Sequence, residues 1–245
     1  VGNASELATI KSSAQSSGLY FAASGAQGYQ IILKPNDTFD LYRVTAQTTP
    51  GSQCTNSGQT GWGVWSIRTK TFVANYAIPA NGLIFVEDSV WVEGTINSAR
   101  VTIAAGKFPD NAATRPNIIV NNDLLYTNYD GTDVIGLISQ GNVTVGMVSD
   151  TDLRIDGALI AQNGRVGRFY YTGGGGSSCS PYHARNSITL YGMIATNIRY
   201  GFAYTDGTGY NSRDIIYDAN LLYAPPPSFP LSGNQYQVLS WTEKR

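Results

Sequence analysis

The chain has 245 residues, of which 42% are hydrophobic and 13% are charged, and its formal net charge is −1. This apolar fraction is enough for a packed core, which excludes global disorder. The near-zero charge excludes a broad electrostatic field that would attract nucleic acid or an anionic membrane. The apolar runs, such as residues 19–23 and 83–86, are too short to cross a bilayer.

Residues 1–17 contain the only helical pattern. Ser5 is placed like an N-cap residue, and Leu7 and Ile10 follow it at helical spacing. The pattern fades in the Ser-rich stretch 12–17. A short helix is therefore predicted at the start of the chain.

After this segment the hydrophobic period changes to two. Apolar runs at 28–33 and 39–44 flank a Pro-Asn-Asp turn at 34–38, which predicts a β-hairpin. A further strand is predicted over 62–73. Residues 1–80 are therefore predicted to be an N-terminal segment with a small β-sheet subdomain, or cap.

The next part of the chain consists of short apolar runs separated by Gly, Asn or Asp, and each run is too short for a helix. Several runs pass through a glycine into another run, at Gly94, Gly157 and Gly192, as a solenoid corner requires. The predicted strands are 83–86, 90–92, 101–103, 118–120, 134–135, 143–145, 153–155, 158–160 and 188–190.

Alternation in two of these runs predicts which side chains point inwards. Ile84, Val86, Val90 and Val92 form the inward set, and the out-of-phase aromatics Phe85 and Trp91 are predicted to point outwards, beneath a C-terminal strap. The strap is the proline-rich stretch 224–230, which favours an extended form along the outside of the domain. A final strand at 236–241, ending in Trp241, is predicted to cap the open end.

These patterns predict an all-β protein. The favoured architecture is a parallel β-helix (β-solenoid) over residues 81–245, with about five coils of roughly 20–25 residues each, a small N-terminal β cap and the Pro-rich C-terminal strap. The alternative is an antiparallel β-sandwich, since dipeptides typical of hairpin turns occur at 81–82, 130–131 and 156–157.

The chain has two cysteines, Cys54 and Cys179, both in polar Ser/Gly-rich loops. Their spacing does not fit a redox or zinc motif. A disulfide would fasten both loops and implies an oxidising, extracellular compartment. Their Cα atoms must then lie within about 7 Å of each other. Two unpaired thiols are the alternative.

Catalytic machinery is sparse. His183 is the only histidine, no nucleophile-elbow motif is present, and His183 is predicted to be an exposed loop residue. The stretch 173–176 lacks the Lys-Ser/Thr of a phosphate loop and is predicted to be a flexible loop. Residues 128–133 resemble half of a calcium loop but are better explained as a turn satisfied by its own side chains. We therefore predict no enzyme, no cofactor and no metal.

One polar constellation remains as a candidate for surface binding. It consists of Asp150, Asp152, Arg154 and Asp156. On a β-helix these residues fit the calcium and arginine site of a polysaccharide lyase, but they fit a polar corner equally well. Six arginines between positions 154 and 213 indicate a local basic face, of marginal strength for DNA.

Three stretches together resemble a known family: 81–94, 158–164, and 217–230 followed by Trp241. Their order resembles the large C-terminal domain of bacterial PilX-type, type IV pilus-associated surface proteins, over about residues 18–245. The resemblance implies a β-solenoid like that of ComZ-type minor pilins, which are linked to DNA uptake. It also implies that residues 1–17 are the stub of a preceding pilin helix. It supplies no catalytic residues.

The resulting expectation is a non-enzymatic structural or adhesive module at the bacterial cell surface, associated with type IV pili and linked to DNA uptake. Pilus or cell-envelope proteins are the expected partners, with glycan or DNA as further candidates, and no membrane span lies within the chain. The alternative is a β-helix protein that binds or degrades polysaccharide.

Overall fold

A computed structural model describes residues 4–56, 58–174 and 178–229. Over these residues the protein is rich in β-strands and has one α-helix, which confirms the all-β class. The helix α1 is Ala4–Ser17. The strands are β1 (Leu19–Phe21), β2 (Gly28–Lys34), β3 (Thr38–Gln47), β4 (Ile67–Ala77), β5 (Leu83–Val86), β6 (Val90–Ile96), β7 (Arg100–Ala105), β8 (Ile118–Ile119), β9 (Leu124–Tyr126), β10 (Val134–Ser139), β11 (Val143–Val145), β12 (Asp152–Ala161), β13 (Val166–Arg168), β14 (Ala184–Thr196) and β15 (Gly209–Tyr217).

Three parallel ladders make up most of the sheet. The first joins β1, β5, β7, β10 and the ends of β12 and β14. The second joins β2, the start of β6, β8, β11 and β13. The third joins the end of β6, β9, the starts of β12 and β14, and β15. From β5 onwards the chain visits the three ladders repeatedly in this order. In the last pass the second ladder has only a bridge between Gly167 and Gly201.

Antiparallel pairing within the described ranges joins β2, β3 and β4, and otherwise occurs as one isolated bridge between Ala203 and Gly209. The β2–β3 pair is the predicted hairpin, with its turn at the predicted place. Because the remaining ladders are parallel, the pairing argues against the antiparallel sandwich. The same sheet crosses the predicted boundary at residue 80, since β1 pairs with β5 and β2 pairs with β6.

Three strands bend at a glycine and pass from one ladder to the next, as predicted. Gly94 separates the halves of β6, Gly157 those of β12 and Gly192 those of β14. Gly157 and Gly192 are register partners, and a Cβ on Gly192 would lie 1.9 Å from the Gly157 carbonyl oxygen. Gly192 also has φ of +148°. Only glycine satisfies both this conformation and this close approach.

The main core is built from aligned aliphatic side chains of successive passes. The predicted inward residues Ile84, Val86, Val90 and Val92 all lie in it. One column of register partners in the first ladder consists of Ile84, Ile103, Leu137, Leu159 and Ile194. Their intervals in sequence are 19, 34, 22 and 35 residues, so the predicted uniform repeat is wrong. Register is preserved within the ladders, while the loops between them differ in length.

The two outward aromatics are covered, but not in the predicted way. Phe85 is fully buried in a cluster with α1 residues, and only Phe229 of the strap reaches that cluster. Trp91 is buried against Val44 and Ile119, and its indole Nε1 donates to the Trp65 carbonyl oxygen at 3.0 Å. The strap is therefore not the main cover for either aromatic.

The strap instead crosses β7 and β10. Arg100 Nη2 donates to the Pro225 carbonyl oxygen at 2.5 Å, and Thr102 Oγ1 donates to that of Pro227 at 2.6 Å. A Cβ on Gly136 would lie 2.7 Å from the Pro226 side chain. The strap thus lies along the outside of the sheet, as predicted. The predicted strand at 236–241 lies outside the described residues.

Helix α1 exists as predicted and lies against the first ladder. Its buried face consists of Leu7, Ile10 and Ala14, which follow helical spacing and pack with Phe85. Ser5 is the second residue of the described helix rather than its N-cap. Amphipathic packing on the sheet explains why this short segment is helical.

Replacing Gly192 by Ala should destabilise the fold. The new Cβ would collide with the Gly157 backbone and force an unfavourable φ, so we expect a loss of at least about 2 kcal/mol in the free energy of unfolding. Gly201→Ala is the matched control, because a Cβ there would meet no atom within 4 Å. Urea denaturation of both variants measures the difference. Equal stability of the two variants would contradict the role assigned to Gly192.

Candidate functional site

Three of the four candidate site residues alternate along the start of β12 and point to its outer side: Asp152, Arg154 and Asp156. Asp156 is fully buried. Its carboxylate accepts hydrogen bonds from the Tyr126 N–H (3.0 Å), the Tyr129 hydroxyl (2.7 Å) and Arg154 Nε (2.9 Å). These contacts occupy the carboxylate, so the arrangement fits a polar structural corner.

Asp150 and Asp152 lie in contrasting surroundings. Asp152 is exposed and accepts hydrogen bonds from Ser187 Oγ and Asn186 Nδ2, which lower the pKa of its carboxyl group. Asp150 is partly buried, and burial followed by the nearby Asp123 carboxylate raises its pKa. The four candidate residues therefore do not converge on one ligand position through their named contacts.

The turn at 128–133 is satisfied by its own side chains, as predicted. The buried Asp133 carboxylate accepts hydrogen bonds from the backbone N–H groups of Thr127 and Asn128, and Asp130 accepts two from Thr132. Across the ranges described, no group of three or more His, Cys, Asp or Glu side chains could hold a metal ion.

Arg168 is a fully buried cation at the centre of the C-terminal half. Its guanidinium donates to the carbonyl oxygens of Gly146 (2.5 Å), Met147 (3.0 Å) and Tyr182 (2.6 Å), and to Ser149 Oγ (2.9 Å). Burial lowers its pKa to about 10, so it stays protonated at neutral pH. The residue connects β13 to the loops that precede β12 and β14.

The burial of Arg168 contradicts the predicted basic face. Arg185 is also buried and donates to the Met147 carbonyl oxygen, and Arg154 pairs with Asp156. Buried or paired guanidinium groups are not available to phosphates. The six arginines therefore do not form one exposed basic surface.

His183 is partly buried rather than exposed, contrary to the prediction. Its Nδ1 atom is buried and has no hydrogen-bond partner among the described residues. A Cβ on Gly173 would lie 2.8 Å from the imidazole ring. The adjacent loop thus covers the ring; residues 175–177 of that loop lie outside the described ranges.

Cys54 and Cys179 form the predicted disulfide, with their Cα atoms 4.7 Å apart. The bond is surrounded by an apolar cluster that includes Met147, Phe169 and Tyr171. Burial and the covalent bond together hold the loop at 48–66 against the second ladder.

One cleft lies away from the predicted constellation. It has a volume of about 700 Å³ and follows the corner where the chain passes from the first ladder to the second. None of its lining residues was predicted to bind a ligand. The residues that characterise its lining are Trp65, Asp88, Arg115, Asn117, Asn142 and Asn163.

A ladder of side chains forms the floor of this cleft. The Asn117 N–H donates to Ser89 Oγ at 3.1 Å, the Asn142 N–H donates to Asn117 Oδ1 at 2.8 Å, and the Arg165 N–H donates to Asn142 Oδ1 at 3.0 Å. Each side-chain oxygen thereby accepts a hydrogen bond from the backbone N–H at the equivalent position of the next pass. A Ser or Asn directly before β6, β8 and β11 was the signal that could have revealed it.

Comparisons with family models, curated proteins and solved structures find no match. No helix of the described segments is both long and apolar enough to cross a membrane.

Removing the charge of Asp150 or of Asp152 should have opposite effects. The raised pKa of Asp150 means that the folded state favours the protonated carboxyl group. The stability that this group contributes at low pH is therefore lost as pH rises through its folded-state pKa. Asp150→Asn should therefore be more stable than the unmodified protein at pH 7. The lowered pKa of Asp152 gives a contribution that is lost as pH falls through its folded-state pKa, so Asp152→Asn should be less stable at pH 7.

Urea midpoints at pH 7 and pH 3 measure both effects. The difference for Asp150→Asn should shrink at pH 3, because a carboxyl group with a raised pKa is then protonated. The difference for Asp152→Asn should persist to lower pH, because the pKa of its carboxyl group lies below the usual value. Shifts of the same sign for the two variants at pH 7 would refute the assignment.

Arg168→Met should destabilise the protein by about 3 kcal/mol or more, because it leaves several buried carbonyl groups without a donor. Arg199→Ala is the control; Arg199 is exposed, so a change within about 0.5 kcal/mol is expected. Chemical denaturation provides the measurement. A loss for Arg168→Met no larger than that of the control would show that the buried cation is not a structural anchor.

Proposed function

We propose that the three ladders close into a parallel β-helix. The cyclic order in which the chain visits them supports this architecture, as do the inward aliphatic columns and the glycine bends between ladders. From β5 to β15 the chain makes five passes, the number of coils expected from the sequence. An experimental structure in which β5, β6 and β9 do not follow one another around a common interior would contradict the proposal.

We further propose that the protein is an exported, non-enzymatic structural or adhesive module of the bacterial cell surface, associated with type IV pili. The observation that carries this proposal is the Cys54–Cys179 bond, which is compatible with an oxidising compartment. The disulfide fastens a loop across a stack that is already held by backbone hydrogen bonds, and such reinforcement suits a stiff extracellular scaffold.

The pilus association rests on the family resemblance of residues 81–94, 158–164 and 217–230. The suggested link to DNA uptake has weaker support, since Arg168 and Arg185 are buried. The non-enzymatic assignment is supported by the polar corner on β12, where the Asp156 carboxylate is occupied by internal hydrogen bonds.

Deletion of the gene in the encoding bacterium should alter piliation, adhesion or transformation, and complementation should restore the phenotype. On intact cells, the protein should be labelled by a membrane-impermeant maleimide only after reduction and unfolding. Residence in the cytosol with two free thiols would contradict export. Normal behaviour in all three assays would contradict the pilus-associated role.

A further inference from the structure

The cleft between the first and second ladders is lined by the half-buried side chain of Trp65. This residue has φ of +45°, a conformation that a bulky side chain rarely adopts. Its carbonyl oxygen accepts hydrogen bonds from Trp91 Nε1 at 3.0 Å and from Asn121 Nδ2 at 2.8 Å. Two independent donors therefore fix a strained backbone, and strain of this kind is concentrated at binding sites.

Close packing removes the remaining freedom of this residue. A Cβ on Gly146 would lie 2.2 Å from the Trp65 carbonyl oxygen. The backbone of Trp65 can therefore approach this closely only because residue 146 is glycine. The indole Nε1 donates to the Gly61 carbonyl oxygen at 3.2 Å, and the ring lies 6.4 Å from that of Trp91. The half-buried indole is thus held in one orientation at the wall of the cleft.

The charged side chains at the cleft are largely neutralised within the protein. Arg115 makes a two-contact ion pair with Asp110. Glu87 pairs with Lys11, and Lys107 also lies close enough to lower the pKa of the Glu87 carboxyl group. The Asp88 carboxylate accepts hydrogen bonds from Ser24 and Ser89.

Amide groups remain for a ligand along the floor. Asn163 is exposed and lines the cleft, and its Nδ2 donates to the Gln140 carbonyl oxygen. Its Oδ1 accepts no hydrogen bond from the described residues. Asn142 Nδ2 uses one of its two hydrogens on Asn117 Oδ1. Amides both donate and accept, which matches hydroxyl groups, and an aromatic face suits the apolar face of a sugar ring.

The shape of the cleft agrees with an elongated ligand. Its floor runs from Ser89 through Asn117 and Asn142 to Asn163, along the stacking direction of successive passes. Three steps of about 4.8 Å give a floor of roughly 14 Å. We propose that this cleft binds a neutral oligosaccharide chain. One sugar ring packs against Trp65, and sugar hydroxyl groups form hydrogen bonds with Asn142 and Asn163. This binding goes beyond the proposed surface role and does not depend on a pilus.

The test is titration of the purified protein with neutral hexasaccharides of β-1,4-glucose, α-1,4-glucose and β-1,4-N-acetylglucosamine, with hexagalacturonate as the anionic comparator. Binding is followed calorimetrically. At least one neutral hexasaccharide should bind. Trp65→Leu should weaken it about tenfold or more, as expected for loss of a central aromatic contact, and Asn163→Ala should weaken it severalfold.

Two controls separate local from general effects. Trp62→Leu removes a tryptophan that packs on Tyr171, and Asn211→Ala removes an exposed amide on β15; both should bind within twofold of the unmodified protein. Thermal unfolding checks each variant, and Asn163→Ala carries the test if Trp65→Leu does not fold. Absence of binding to all three neutral ligands at millimolar concentration overturns the proposal. Unchanged affinity in Asn163→Ala and in folded Trp65→Leu, or salt-sensitive binding of hexagalacturonate alone, also overturns it.

Discussion

Backbone hydrogen bonding between parallel strands is the constraint on which the rest of this structure depends. Each strand must present its N–H and C=O groups in register with the strand before it and the strand after it. A shift of one residue would turn the inward aliphatic side chains outwards. The ladders therefore fix the side-chain columns, while the loops between them are free to differ in length, which explains the unequal intervals along the column that contains Ile84.

A second set of contacts holds the loops outside the strand ladders. The segment at 48–66 crosses the outer side of the second ladder and is held at one end by the disulfide and at the other by the contacts of Trp65. Arg168 lies beneath the same region and donates to carbonyl groups of two loops, the one before β12 and the one before β14. Because burying a guanidinium group is costly without acceptors, these contacts favour one arrangement of loops that have no strand pairing of their own.

Features that depend on local chemistry could be predicted from the sequence. The period-two runs located most of the strands, and Gly94, Gly157 and Gly192 marked the bends because only glycine tolerates them. The cysteines were paired correctly because their loops needed fastening. The cluster of Asp152, Arg154 and Asp156 could be recognised in the sequence as a binding site or a polar corner. The hydrogen bonds that occupy Asp156 depend on Tyr126 and Tyr129, which arrive from an earlier pass.

Features that depend on long-range packing could not be predicted in this way. The sequence does not indicate that α1 covers Phe85, since the helix and its target lie about 75 residues apart. Arg168 and Arg185 resembled surface charges because composition cannot distinguish a solvated guanidinium from one bound by carbonyl groups. The predicted strand at 62–73 begins later, at Ile67, because Trp65 takes a left-handed conformation that interrupts an extended chain.

The disulfide also determines how the protein responds to a pulling force. Cys54 and Cys179 are 125 residues apart in sequence, yet they are covalently joined across the stack. Tension applied between the two ends of the chain passes through this bond, so the intervening residues carry no load and cannot be drawn out. Fully extended, that loop would add about 420 Å of length at roughly 3.4 Å per residue. Under oxidising conditions the residues between the two cysteines therefore stay folded, and only the segments outside the disulfide can unfold under tension. Reduction of the bond would allow the enclosed residues to extend as well.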